Sequence, residues 1–558
     1  MTATGEPAQA VSRARRRRPP PLLVAAGALV GAGAALPLVY LFLRAAEGGV
    51  GRLLDTVSEH RTLELLVDTV GLAVAVTAGT VVLALPLGWL TARTDLPGRR
   101  AFAVLTALPL VLPSYVFGYA FVAAFGPVGL VQGWLEPLGM ERFPNLYGFW
   151  GAFLVLTFST YPYVLLTVRA ALSGLDPALE EAGRSLGRSP AATFFSVVLP
   201  QLRPALAAGA LLVALYALHD FGAVSLLRFD SFTRVIYSQY QNSFDRIRAA
   251  TLGLVLVALT LSVLATETRL RGRLGVPRTR RGKAPPVALG QWRWPAALWC
   301  GLVVLFALGL PLGVISYWLF RGGAAGSSLR LTAELAGNSF AVSALGAGAA
   351  LVAAWPVAVL SARYAGRLSR MIERASFIGF ALPGLVVALA LVFFGARFWG
   401  GRLYQTQVML IAAYVILFLP QAVGALRTSL LQVSPSLEEA ARSLGCDRRR
   451  VLWRVTLPLV RPGVVAAFGL VFLTAMKELS ATLLLSPIEF TTLATQVWAS
   501  TNEAFFAKAA APALAIVAIS AVPLLMTGRI GGDRPGVEGR WGRRRVVAGA
   551  GDPTGPMP

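Results

Sequence analysis

Four pairs of adjacent ionisable residues stand out from an otherwise apolar sequence: Glu180–Glu181, Glu438–Glu439, His219–Asp220 and Lys477–Glu478. The glutamate pairs open two nearly identical octapeptides, EEAGRSLG at 180–187 and EEAARSLG at 438–445. The other two pairs stand at the same offset from one another, 258 residues (438 less 180, and 477 less 219). Carboxylates in this pattern can cap helices, pair with cations or dock a partner. Catalysis lacks its usual means. His60 and His219 are the only histidines, and neither has the spacing of a metalloprotease or a catalytic base. Cys300 and Cys446 are too few for a disulfide framework and show no metal-ligand spacing. No G-x-x-x-x-G-K-[ST] phosphate loop occurs. No catalytic, cofactor-binding or metal-ligating set is therefore expected in this chain.

The elements that must position these residues are membrane helices. Of 558 residues, 56% are hydrophobic and 14% charged, and the mean hydropathy is +0.65. A soluble domain carries roughly one-quarter charged residues. Apolar runs of about 17–25 residues are long enough to cross a bilayer as helices. The expected spans are Leu22–Leu43, Leu65–Ala92, Ala101–Phe125, Trp150–Leu172, Ala205–Leu218 and Ala249–Ala265, then Pro295–Phe320, Phe340–Ala362, Ala375–Phe394, Val408–Ala425, Gly463–Met476 and Ala509–Met526. The first, preceded by Arg13–Arg18, reads as an uncleaved span. A net charge of +24 suggests nucleic acid at first sight, but Lys and Arg gather in short segments between apolar runs, which excludes an interleaved binding face. The expected fold class is an all-α integral membrane protein with about twelve transmembrane helices, arranged as two parallel six-helix repeats.

The two halves correspond beyond the octapeptide. Pro86, Arg93 and Pro113 match Pro356, Arg363 and Pro383 at an offset of 270, and Pro162, Arg169 and Pro177 match Pro420, Arg427 and Pro435 at 258. Six spans per half give both copies the same orientation, a transporter arrangement. Positive charge places both termini and the octapeptides in the cytoplasm: Arg93, Arg99 and Arg100, Arg169 to Arg203, the linker, Arg363 to Arg370, Arg442 to Arg461 and the tail all fall on one side. The chain divides into 1–60 (basic N-terminus, first helix, outer loop), 61–268 (first repeat), 269–294 (basic linker), 295–334 (seventh helix and outer loop), 335–528 (second repeat) and 529–558 (basic tail).

Each octapeptide lies in a helical corner. Asp176 and Ser434 are placed to cap helices starting at Pro177 and Pro435, where proline's missing N–H costs nothing. The glutamates sit early, where the helix dipole favours negative charge, and Gly187 and Gly445 are suited to a left-handed end. Ser189 and Asp447 are placed to cap the next helices, and Val-x-Leu-Pro (Val197–Pro200, Val455–Pro458) reads as closing the segment. For one copy a solvated hairpin would suffice. Two matching copies imply two equivalent docking surfaces.

The segment resembles the EAA loop of type I ABC-importer permeases, whose pattern is Glu-Ala-Ala, three residues, Gly, nine residues, Ile-x-Leu-Pro. Glu181, Ala182, Gly183, Gly187, Leu199 and Pro200 fit it, as do Glu439, Ala440, Ala441, Gly445, Leu457 and Pro458, with Glu180 and Glu438 preceding. Gly183 for Ala and Val for Ile are mild departures. The resemblance covers roughly 60–270 and 335–528 and implies the type I importer permease fold, with coupling helices seated on a pair of separate ABC ATPase subunits. These subunits, not this chain, would bind ATP. The stretches after the fifth span of each half, together with the fusion of two halves, resemble ferric-iron permeases. Thiamine permeases are the nearest alternative, and polyamine, phosphonate and sulfate permeases share the loop. The resemblance implies an extracytoplasmic substrate-binding protein, location in the cytoplasmic membrane, and no enzymatic activity. His219, Asp220, Lys477 and Glu478, at the ends of fifth spans that read as unusually short, are the candidate translocation path. Asp68 and Asn338 are weaker candidates, and Arg93 and Arg363 read as plain inner-face charges. A free ferric ion would want a cage of hard oxygen ligands, and no such cluster of Asp, Glu and Tyr appears within the spans, so the resemblance implies that the binding protein selects the substrate and the permease supplies a gated, rather unselective path. An ion-coupled secondary transporter, the rival of a different class, would leave the paired loop unexplained.

Overall fold

The computed structural model describes residues 19–531 apart from 128, 139–145, 244, 275–285, 324–327, 365 and 399–401. Arg13–Arg18, the linker residues Arg278, Arg280, Arg281 and Lys283, and the tail arginines Arg540 and Arg543–Arg545 lie outside the described residues. Sixteen helices suffice to place the site. In the first half they are α1 (Pro21–Ala46), α2 (His60–Arg93), α3 (Ser114–Phe125), α4 (Phe149–Gly174), α5 (Pro177–Ser185), α6 (Phe194–His219), α7 (Gly222–Leu226) and α8 (Arg246–Leu274). In the second they are α9 (Gly290–Gly322), α10 (Leu331–Arg363), α11 (Gly384–Arg397), α12 (Gln407–Gln432), α13 (Pro435–Ser443), α14 (Arg449–Met476), α15 (Ser480–Leu485) and α16 (Phe506–Gly531). Among the described residues ten helices are long and apolar enough to cross a membrane, or eleven counting one bent pair, and Phe506–Ala521 is a shorter apolar helix.

Two expected spans take a different form. The third of each half is broken. Arg99–Leu105 and the short turn Leu108–Val111 precede α3, and Arg367–Ala381 meets α11 at a bend of 105°. Pro113 and Pro383 cause the breaks. Proline drives the preceding residue out of the helical region, and Leu112 and Leu382 accordingly have ψ of 118° and 116°.

The fifth spans are not short. Leu199–Pro200 and Leu457–Pro458 do not close their segments. A single wide π-turn at Phe194–Val198, and another at Leu452–Thr456, absorbs each proline, and the helix runs on without a stop. At 26 and 28 residues, the fifth spans are full-length and do not mark a transport path by shortness. The interruption lies instead just beyond α6 and α14.

In each half the second and fourth spans pack together and the fifth packs on both. The first span crosses to the opposite half. Gly27 and Gly31 of α1 lie against Leu360, Ile372 and Ala375, and Tyr40 Oη donates to Phe393 O at 3.2 Å. In the reciprocal arrangement α9 packs on α3 and α16, and Tyr119 Oη of α3 donates to Phe506 O at 2.9 Å. Helices α3 and α11 are buried along nearly their whole length, which makes them the centre of the molecule.

The far end of the linker returns to the end of α2. Val287 N–H donates to Arg93 O at 2.7 Å, and Leu289 N–H to Asp95 Oδ1 at 2.8 Å.

Candidate functional site

Two corner helices, α5 and α13, lie at the same end of the bundle and are built alike. Asp176 accepts from Ala178 N–H at 3.0 Å, and Ser434 from Ser436 N–H at 3.3 Å. Each helix begins at its proline. Each ends in a residue of positive φ, +79° at Gly187 and +83° at Gly445. The closing bonds run from Arg188 N–H to Gly183 O (3.3 Å) and from Cys446 N–H to Ala441 O (3.0 Å), which spends carbonyls the helix end would otherwise leave open. Ser189 accepts from Ala192 N–H at 3.2 Å and Asp447 from Arg450 N–H at 3.1 Å, starting the next turn.

The glutamates of each pair divide their roles. Glu180 turns inward and forms an ion pair with Arg93 at the end of α2. Glu438 does the same with Arg363 at the end of α10, at 2.9 Å. Arg93 and Arg363 are therefore not plain inner-face charges. Arg93 is 7% exposed and fastens a corner helix to a membrane span. Arg363 also donates to Val433 O at 3.1 Å, and Thr456 donates to Glu438 at 3.2 Å. Glu181 and Glu439, by contrast, are exposed, as are Ala182 and Ala440, while Gly183 is buried. Leu186 and Leu444, one residue before each left-handed glycine, are 78% and 84% exposed. Leu179 and Leu437 are exposed beside them. Each corner thus presents leucines and a carboxylate outward on a helix fixed from behind. Leu199 and Leu457 directly follow the π-turns inside α6 and α14.

His219 ends the first of the long fifth helices, Asp220, Lys477 and Glu478 follow the helix ends, and the structure sends the four in different directions. Asp220, 7% exposed, accepts from Ala223 N–H at 2.9 Å and Val224 N–H at 3.3 Å, starting α7. Ser114, the first residue of α3, donates to the same carboxylate. Glu478 accepts from Ala481 N–H at 3.0 Å, starting α15. Its neighbour on the broken third span is Gly384, which matches Ser114 at the 270 offset. A Cβ on Gly384 would stand 2.6 Å from Glu478 Oε1. The shorter acid thus meets a serine and the longer acid meets bare backbone. His219 Nε2 lies 3.4 Å from Thr260 Oγ1. Lys477 Nζ crosses to the other half and donates to Leu110 O at 3.2 Å. Neither acid lies on a solvated helix end.

Asp68 is exposed, and Asn338 donates to Thr491 O at 3.1 Å. The residues one further on do more. Phe232 N–H donates to Thr69 Oγ1 at 3.2 Å and Leu493 N–H to Ser339 Oγ at 2.8 Å, holding the helix that follows each break against the second span. Sequence reading passed over this matched hydroxyl pair, although the 270 offset marks it.

At the opposite end of the bundle from α5 and α13, a cavity of about 540 Å³ opens between the halves, lined by Tyr240, Arg246, Tyr404 and Gln496 among others. The Tyr240 and Tyr404 hydroxyls are 3.4 Å apart. Burial, and then Tyr404 beside it, pushes the Tyr240 phenol above the ordinary tyrosine range. Among the described residues no group of three or more His, Cys, Asp or Glu side chains is placed to hold a metal ion.

Residues 84–275 and 346–531 each match the family described as binding-protein-dependent transport system inner membrane component. The chain is 36% identical over 505 residues to the Fe(3+)-transport system permease protein FbpB 2 of Haemophilus influenzae, covering 89% of this chain and 96% of that protein. It is 27% identical to the ferric transport system permease protein FbpB of Actinobacillus pleuropneumoniae, over 70% of this chain and 60% of that relative's length. It is 28% identical to the sulfate transport system permease protein CysT of Escherichia coli, over 43% of this chain and 87% of that protein.

Proposed function

The chain belongs to the family of binding-protein-dependent transport system inner membrane components, and from that membership we propose that it is the multi-pass permease of an ATP-driven importer of ferric iron. One observation carries the mechanism. Two corner helices of the same build, 258 residues apart, are each fastened by an arginine–glutamate pair to the end of a second span and present leucines outward. A pair of ATPase subunits seats on α5 and α13. As the subunits close, they push both helices, and the buried ion pairs pass the movement to α2 and α10. Rocking of the halves then opens a path that is closed at rest.

The arginine-rich end of the bundle faces the cytoplasm, and so do both termini. An extracytoplasmic binding protein docks at the opposite end, near the Tyr240–Tyr404 cavity, and delivers the substrate. ATP binds the partner subunits. This chain supplies no catalytic group, and His219, Asp220, Lys477 and Glu478 border the path. Ferric iron is chosen because it appears in the names of relatives that match both halves, whereas the sulfate relatives match less than half of the chain. An ion-coupled carrier would have no use for Leu186 and Leu444 in the open.

The test is uptake of radiolabelled iron in a strain lacking this chain, with and without the cloned chain and with ATP depleted. Restored, ATP-dependent uptake together with copurification of an ATPase pair supports the reading. Restored uptake of thiamine instead of iron would overturn the substrate.

A further inference from the structure

The interruptions after α6 and α14 bring together oxygen groups that no single span contains. Gly222 is the hinge of this contact. A Cβ there would lie 2.7 Å from Tyr115 Cβ in the first half and 3.2 Å from Leu479 Cδ2 in the second. Residues 220–222 and 478–480 therefore meet where the halves join, beside the buried starts of α3 and α11. Asp220 and Glu478 lie within electrostatic reach of one another. Tyr216 lies beside Ser114, which donates to Asp220. Tyr414 shares a hydrogen bond of 2.7 Å with Thr482 and lies within electrostatic reach of Glu478.

Tyr115 is the odd member. It is 3% exposed, its hydroxyl has no hydrogen-bond partner, and it lies within electrostatic reach of Glu478. Leaving a buried hydroxyl unpaired is costly. A fold that keeps one within electrostatic reach of the Glu478 carboxylate has a polar group waiting for an occupant.

We propose that Asp220 and Glu478, one from each half, form with the Tyr115 hydroxyl a transient oxygen-donor site for the transported cation where the halves meet. The proposal rests on the importer reading above and adds the place where the ion is handled. Carboxylate and phenol oxygens suit a hard cation. Two carboxylates leave a trivalent ion under-neutralised, so the site holds it weakly enough to release it, as conduction requires. Lys477 stays out of the site, its ammonium taken by Leu110 O in the opposite half. His219 also points away, to Thr260. The two acids do start helices, but that role does not explain the pair. Glutamate is not among the preferred N-caps, and the bare backbone at Gly384 is what admits it.

Asparagine caps a helix as well as aspartate does, so Asp220→Asn separates the two roles. With the full transporter in cells, Asp220→Asn and Glu478→Gln should each lower the maximal rate of iron uptake about tenfold, the loss expected for one contact to a charged group. The iron concentration for half-maximal uptake should stay constant, because the binding protein sets it. Membrane abundance and ATP hydrolysis by the complex should persist. Wild-type rates in both variants would overturn the proposal. If wild type itself takes up no iron, the ferric reading fails instead. The purified full chain then decides the site separately, with terbium(III) as a hard trivalent probe excited through tyrosine. Emission that falls in Asp220→Asn/Glu478→Gln and in Tyr115→Phe supports the site, and emission equal in all three proteins overturns it.

Discussion

Arg363 donates to the Glu438 carboxylate at 2.9 Å, and Arg93 makes the same bond to Glu180 in the other half. Each pair joins the last residue of a membrane span to a helix outside it. Both partners of both pairs are largely withdrawn from solvent, with side-chain exposures of 8–15%. Such a pair is a stiff strut, because separating it strands a charge away from water.

The struts are not equal. Glu438 has a second donor in Thr456, whereas the matching position in the first half is Val198. Removing one partner of a buried pair costs roughly 3–5 kcal/mol, and Thr456 offsets part of that in the second half. Arg93→Ala should therefore impair uptake more than Arg363→Ala, with both proteins reaching the membrane. Iron uptake per copy in vesicles checks the order. Equal, near-wild-type rates would show that movement does not pass through the pairs.

At Gly187 and Gly445 a side chain would meet nothing within 4 Å, so any penalty is in the backbone alone. Proline fixes φ near −65° and cannot adopt +79° or +83°. Gly187→Pro with Gly445→Pro should abolish transport while leaving the spans inserted. Asparagine tolerates the left-handed region, so the paired Asn variants should transport at close to wild-type rates. Uptake measured across Asn, Val and Pro substitutions should fall in that order.

Local chemistry explains what could be read in advance. Caps, first-turn prolines, left-handed glycines and the two-fold repeat depend on neighbours a few residues apart, and the chain spells those out. The Arg93–Glu180 pair spans 87 positions and Arg363–Glu438 spans 75, so nothing near either arginine announces its partner. Pro200 and Pro458 misled because proline usually ends a helix. The π-turns that absorb them show only in three dimensions. The cluster around Asp220 and Glu478 draws on helices from both halves, and no single span displays it. That α1 serves the opposite half is likewise a matter of packing rather than pattern.

That crossing of α1 can be tested by crowding it. A Cβ on Gly31 would stand 3.2 Å from Ala375 Cβ, whereas one on Gly33, two residues on, meets nothing within 4 Å. Overpacking a close helix contact costs about 1–3 kcal/mol. Gly31→Leu should lower the thermal unfolding temperature of the detergent-solubilised chain, and Gly33→Leu should leave it unchanged. Equal temperatures would mean that α1 contributes little to holding the halves together.

The orientation rests on charge, and the cysteines offer a direct reading of it. Cys446 lies just past the left-handed Gly445, partly exposed, at the end of the bundle that carries both corner helices, while Cys300 is fully buried in α9. A membrane-impermeant maleimide should therefore leave the chain unlabelled in intact cells and label it in inverted vesicles. Cys446→Ser should remove the label without loss of uptake, since no step uses a thiol. Adding the ATPase subunits to stripped inverted vesicles should slow the reaction, because a partner seated on α13 covers the adjoining turn. Labelling in intact cells would place the corner helices outside, away from any source of ATP, and the coupling mechanism would fail with that result.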